Sequence, residues 1–297
     1  MTTQITPETA TLSRLFSSQV IHEMARHAKS PLFARIADHI LPSHQKTQHD
    51  VFVHSVFDRA YTVFKQADFR DEYIYKNSLA NKILLGKHSV NTATLLHEFR
   101  AGICKADAVI INGTSTAYEI KSERDSLSRV RQQLDEYTKI FARVNVIAGF
   151  NHIERIQNLV DSDIGILTLT KRNTISTIRE PVPNEQNILP AYIFHSLRMG
   201  EAKRILQLYN KPIPQVPNTQ MHRALEKEFC SLTPEQAHSG MVYILKKTRN
   251  CSFLSDFGDS LPKSLYGAVL SVPLSQHAQA RLLYALRTPI TDALAWT

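Results

Sequence analysis

The chain has 297 residues, 43% hydrophobic and 21% charged, a balance ordinary for a globular protein of one elaborated domain or two. Thirty-five Lys and Arg against 27 Asp and Glu leave a net charge of +8, which suits a polyanionic partner. Three widely spaced cysteines (Cys104, Cys230, Cys251) exclude a disulfide framework, the N-terminal MTTQITPETATLSRLF lacks the regions of a signal peptide, and no apolar run approaches the ~20 residues of a membrane helix. The expectation is a cytoplasmic protein with no membrane partner.

From Thr11 to Leu41 the period is helical: Leu12, Leu15, Phe16 and Val20 share a face, and Ser30-Pro31 offers a cap and first turn. After a polar break, VFVHSVFDRAYTVFKQ predicts another helix. RDEYIYKNSLANKILLG and SVNTATLLHEFRAG predict two more, the last stopped by Gly102. Then the texture changes. Ala106 to Ile111 is β-branched and apolar, Asn112-Gly113 is a turn signal, and Thr116 to Lys121 is a second strand. Leu127, Val130, Leu134, Tyr137 and Phe141 restore a helical period over Arg124–Phe141, with Ser122–Asp125 as a capping box. Arg143–Gly149 reads as a strand, IERIQNLV as a helix and Asp163–Thr170 as a strand.

Helices alternating with short strands indicate an α/β, three-layer core with a mixed sheet. Two proline-rich breaks, EPVPNEQNILP and NKPIPQVPNT, punctuate the remainder of the chain. The expected organisation is a helical N-terminal region (1–80), the core (81–172) and a mainly helical C-terminal region (173–297).

The chemistry concentrates between Lys105 and Ser126. Alternate strand residues share a face, so Glu119 and Lys121 point one way and Ile120 the other. A hairpin at Asn112-Gly113 lays Asp107 beside the Glu119 strand. Two carboxylates with a lysine next to them suit Mg²⁺ or Mn²⁺, which take oxygen ligands and can activate water at phosphorus. The bland reading is that Glu119 and Lys121 are cross-strand surface charges and Asp107 a strand-entry residue. The conjunction shifts the odds.

Asp107, eleven intervening residues and Glu119-Ile120-Lys121 resemble the signature of the PD-(D/E)XK nuclease superfamily, which sets D and then E-x-K on adjacent strands of an αβββαβ core. Gln133 and Tyr137, at i and i+4, look like the Q-x-x-x-Y motif of its RecB-like branch, and the passage from NSLANKILLGKHS through YEIKSERDSLSRVRQQLDEY is similar to an uncharacterised bacterial family assigned to it. Ala106 stands where the eponymous proline would be. The resemblance implies a restriction-endonuclease-like fold and a metal-dependent deoxyribonuclease, in a setting of phage defence, mobile elements or DNA processing.

In that reading Asp107, Glu119 and the Ile120 carbonyl hold the metal. Glu98, on the helix before the first strand, helps directly or through water. Lys121 positions the nucleophilic water, and Gln133 supports Lys121 or a phosphate. Arg124, Arg129, Arg131 and Lys139 line the following helix for a nucleic-acid backbone, against the simpler reading of a solvated face with pairs such as Arg131–Asp135. Tyr137 fits packing as well as contact with DNA.

DNA is the first expected partner, with RNA and a protein partner as alternatives. The rival function is a binding or regulatory module that keeps the fold and cleaves nothing alone. Two other motifs fail: His22 and His27 are five apart, wrong for a zincin helix, and Leu85–Ser89 lacks the first glycine and Ser/Thr of a P-loop.

Overall fold

A computed structural model describes residues 7–66, 69–85, 93–251 and 253–297. Gly86–Ser89, from the segment weighed as a P-loop, lies outside the described residues. The chain divides into two units: residues 1–82, 171–174 and 252–297 form one, and residues 83–170 and 175–251 the other. No helix among the described residues is long and apolar enough to cross a membrane.

The first unit is helical. Ser17 and Ser30 cap the helices Ser18–His27 and Pro31–Ile40, each hydroxyl accepting from a backbone N–H three residues on. Ser30 also donates to Glu23 at 2.6 Å. Burial alone would raise the Glu23 pKa, but bonds from Ser30, Gln19 and the Leu32 N–H outweigh it and lower the value. Phe16 gathers Phe57, Tyr61, Phe64 and Tyr73 at ring separations of 4.3–6.4 Å. The C-terminal stretch is tied into this unit through Asn77, which donates to the Lys263 carbonyl and accepts from the Gly267 N–H. Ser264 completes the tie by donating to Asp58.

The second unit is built on a six-stranded mixed sheet with flanking helices. Its strands are β1 (Thr94–Ala101), β2 (Cys104–Ile111), β3 (Ser115–Lys121), β4 (Arg143–Ala148), β5 (Gly165–Leu169) and β6 (Ile175–Arg179), adjacent in that order. β1, β2 and β3 form an antiparallel meander, β3, β4 and β5 are parallel, and β6 returns antiparallel to β5. Parallel neighbours need a crossover. The helices Val130–Thr138 and Ile153–Leu159 supply the two crossovers. β5 is buried along its whole length, as a strand covered on both faces should be. One continuous core joins Val146 and Ile166 of the sheet to Tyr137, Phe141, Ile193, Ile205, Phe229 and Met241. The helices Pro190–Ser196, Met199–Leu208, Asn218–Phe229 and Pro234–Thr248 therefore belong to the sheet's own unit.

Two local expectations need correction, and one strand lies where none was expected. SVNTATLLHEFRAG is not a helix, because its described part forms β1, which turns through Gly102-Ile103 into β2 with Ala101 opposite Cys104. Leu, Glu and Ala favour a helix weakly, and pairing with the β-branched β2 overrides that preference. Gly102 meets the turn at φ +58°. The helix read from Arg124 begins only at Val130. Asp125 does accept from the Ser122 N–H and hydroxyl, both at 2.7 Å, but these bonds close an isolated turn. β6 was not anticipated at all. It is half-exposed and carries no buried apolar run.

Candidate active site

The site grows from the place where β2 and β3 part. Their register pairs Val109 with Ala117 and Ala108 with Tyr118, which sets Asp107 opposite Glu119 just past the last rung. There the Ile120 N–H donates to Asp107 Oδ2 at 2.7 Å. A carboxylate thus replaces the backbone acceptor that a continued ladder would offer. On its other edge β3 stays paired to β4, with Lys121 beside Ala148.

Glu119 and Lys121 share a face, as alternation requires. Lys121 Nζ donates to Glu119 Oε1 at 2.6 Å and to Gln133 Oε1 at 3.1 Å. The second oxygen of Glu119 accepts from the Tyr137 hydroxyl at 2.6 Å, and that hydroxyl lies equally close to the Lys105 carbonyl. One phenolic proton therefore serves two acceptors. Burial, reinforced by the neighbouring Glu119 charge, pushes the Tyr137 pKa far up, so the ring stays a neutral donor. Glu119 is only 1% exposed, and its charge is matched by a lysine that is itself buried. Gln133 and Tyr137 lie one turn apart on the crossover helix and reach Lys121 and Glu119 respectively.

Glu98 completes the acidic group from a different element than expected. It sits in β1, where His97 pairs with Ala108 and Phe99 with Ala106, so it lies directly across from Asp107. A carboxylate oxygen of each lies within 4.8 Å of the other. Glu98 takes φ +50° in the middle of a strand. For a side-chain-bearing residue the left-handed region costs about 1–2 kcal/mol, so the fold carries strain to place this carboxylate.

The donor chemistry fits a hard divalent cation, since Glu98, Asp107 and Glu119 offer only carboxylate oxygens. Their convergence is incomplete: among the described residues these three do not bring ligand atoms within 4.8 Å of one another. Glu119 is held instead by Lys121 and Tyr137.

The expected nucleic-acid contacts separate. Arg124 is half-buried in the turn after β3, and Arg129 is exposed at the start of the crossover helix. Arg131 is exposed, with Asp161 at 3.7 Å and not Asp135 as its acidic neighbour. Lys139 is committed to Glu136 at 2.5 Å and lies over the Tyr192 ring. Tyr137 has no exposed surface, so contact with nucleic acid does not fit its position; it is a support behind Glu119. Glu136 was missed by sequence reasoning. It accepts from the Ile103 N–H at 3.2 Å and so pins the β1–β2 turn, a role signalled only by the turn-forming Gly102.

Residues 65–265, more than half of the chain, match the family described as Bacteriophage P4 protein cII. Protein cII of Enterobacteria phage P4 is 30% identical over 93 residues, which cover 31% of this chain and 35% of that protein. The aligned part thus spans about a third of that relative's length. No solved structure matches the chain.

Proposed function

The chain belongs to the Bacteriophage P4 protein cII family, and we propose that it is a metal-dependent nuclease that hydrolyses phosphodiester bonds of DNA. The observation that carries this reading is the wiring of Asp107, Glu119, Lys121 and Gln133 at the parting of two strands. The antiparallel β1–β2–β3 meander, the crossover helix and a parallel β4 support taking the unit as a restriction-endonuclease-like, PD-(D/E)XK core.

Asp107, Glu98 and Glu119, with the Ile120 carbonyl, would hold Mg²⁺ or Mn²⁺. Such an ion supplies charge screening at phosphorus and an acidified water. The protein's own part is positioning. Asp107 is fixed by the Ile120 N–H, and Lys121 is steered by Gln133 towards the carboxylates, where an ammonium can orient a water and offset developing negative charge. Tyr137 keeps Glu119 oriented from behind. Arg124 and Arg129, in the turn and at the helix start that follow β3, would meet phosphates.

The test is cleavage of supercoiled, linear duplex and single-stranded DNA with Mg²⁺, Mn²⁺ or EDTA, comparing wild type with Asp107→Ala and Lys121→Ala. Metal-dependent cutting that both substitutions abolish is expected. One observation favours a second reading: both Glu119 oxygens are already bonded within the protein. That would suit a module that binds nucleic acid, or acts with a protein partner, and does not cut. An uncut substrate with every metal, together with unaltered DNA binding by Lys121→Ala, would establish it. RNA run beside DNA separates the remaining substrate class.

A further inference from the structure

β2 runs against β3 and β4 runs with it, so the start of β2 and the ends of β3 and β4 lie at one end of the sheet. Asp107, Glu119 and Lys121 are at that end. So are the two most exposed large hydrophobic side chains among the unit's described residues: Ile103 in the β1–β2 turn at 77% and Phe150 just after β4 at 81%.

Both are held firmly. A Cβ on Gly102 would stand 1.7 Å from Glu136 Oε2, the atom that accepts the Ile103 N–H, so the turn is pressed against the crossover helix. The Gly149 N–H donates to the Lys121 carbonyl at 2.8 Å, and Asn151 donates to the Glu123 carbonyl at 2.9 Å. These bonds fix Phe150 two residues beyond Ala148, the partner of Lys121. Backbone held this way keeps a Phe and an Ile in water, and a ligand at this end of the sheet would bury them.

The charge on the ladder that leads into the Ile103 turn indicates which ligand. Arg100 and Lys105 pair directly across the β1–β2 ladder, and both are exposed. Like charges in that position repel. A polyanion relieves the repulsion, whereas an apolar protein surface would deepen it.

We propose that this end of the sheet receives a nucleic-acid strand whose bases are unpaired: Phe150 stacks on a base, Ile103 wedges against the next, and Arg100 and Lys105 hold phosphates. Aromatic side chains stack on exposed bases, and apolar wedges part them. The inference rests on the nuclease reading for the site it serves, and names single-stranded or forked substrates over intact duplex.

Anisotropy titrations in EDTA, where no cutting occurs, would compare single-stranded, forked and blunt duplex oligonucleotides of one sequence. Phe150→Ala should weaken the first two about tenfold and leave blunt duplex nearly unchanged, with Phe150→Trp restoring the affinity. Ile103→Ser should act in the same direction. Equal losses on all three substrates, or no loss, would overturn the proposal. So would Phe150→Ala dissociating a dimer in sedimentation, since the ring would then be a protein contact. Substrate discrimination by Phe150 in a protein that cuts nothing would remove the nuclease reading alone. Cutting by wild type with no effect of Phe150→Ala on binding would remove this inference alone.

Discussion

Replacing Lys121 with methionine measures what its charge contributes to the fold. Lys121 and Glu119 are buried partners at 2.6 Å, and Glu119 is the less exposed of the two. Removing one member of a buried pair leaves an uncompensated charge and costs about 3–5 kcal/mol. Here Tyr137 still donates to Glu119 Oε2. A charge-assisted bond of that kind contributes about 1.5–3 kcal/mol, so the expected loss for Lys121→Met falls to about 2 kcal/mol. Adding Glu119→Gln removes the stranded charge, and the double variant should return to within about 1 kcal/mol of wild type. The assay is urea denaturation, paired with hydrogen exchange of β3 and β4 peptides because the chain has two units and a single midpoint need not report on the second. A Lys121→Met variant within about 0.5 kcal/mol of wild type would refute the reasoning. So would a double variant that loses the sum of the two single losses.

Tyr137→Phe deletes the donor shared by Glu119 and the Lys105 carbonyl, and should destabilise β2 and β3 by about 2 kcal/mol, read by the same exchange experiment. His238 is buried against Ser115, and burial lowers its pKa below the usual 6.5. The unfolded chain therefore binds that proton first, and the stability of the second unit should fall as pH drops below about 6.5, by at most about 1.4 kcal/mol per unit. His238→Asn should flatten the change in urea midpoint between pH 7 and 5.5. Gly102→Ala meets both φ +58° and the Glu136 carboxylate, so a loss of more than about 1 kcal/mol is expected, and an unchanged thermal midpoint would contradict the close approach.

The features legible in the sequence are those that depend on local repetition. The β-branched run of β2, the Asn112-Gly113 turn and the apolar β4 and β5 follow from period and turn chemistry, and the alternation in β3 places Glu119 and Lys121 together. Features that escaped depend on distant partners. β1 has helix-favouring residues and becomes a strand because β2 offers it a ladder, so Glu98 lies on a strand and not on the helix its local pattern suggests. The Ser122–Asp125 bonds looked like a helix start because capping chemistry is the same whether or not a helix comes after it. The fold of residues 252–297 back into the N-terminal unit leaves no mark on local pattern, because Asn77 and Ser264 are ordinary polar residues until the chain brings them together.

The same distinction explains the site's energetics. Glu98 sits at φ +50° within a strand where glycine or asparagine would be at ease, Glu119 is buried with a compensating lysine, and Tyr137 divides one proton between two acceptors. None of these arrangements is what stability alone would select at the ends of paired strands. Each holds a carboxylate or its ammonium partner in a set position, and all three lie within one rung of the point where the Ile120 N–H leaves the ladder for Asp107. Strain, buried charge and a broken ladder at one place are what the proposed nuclease site would require of a fold that gives up stability to hold chemistry.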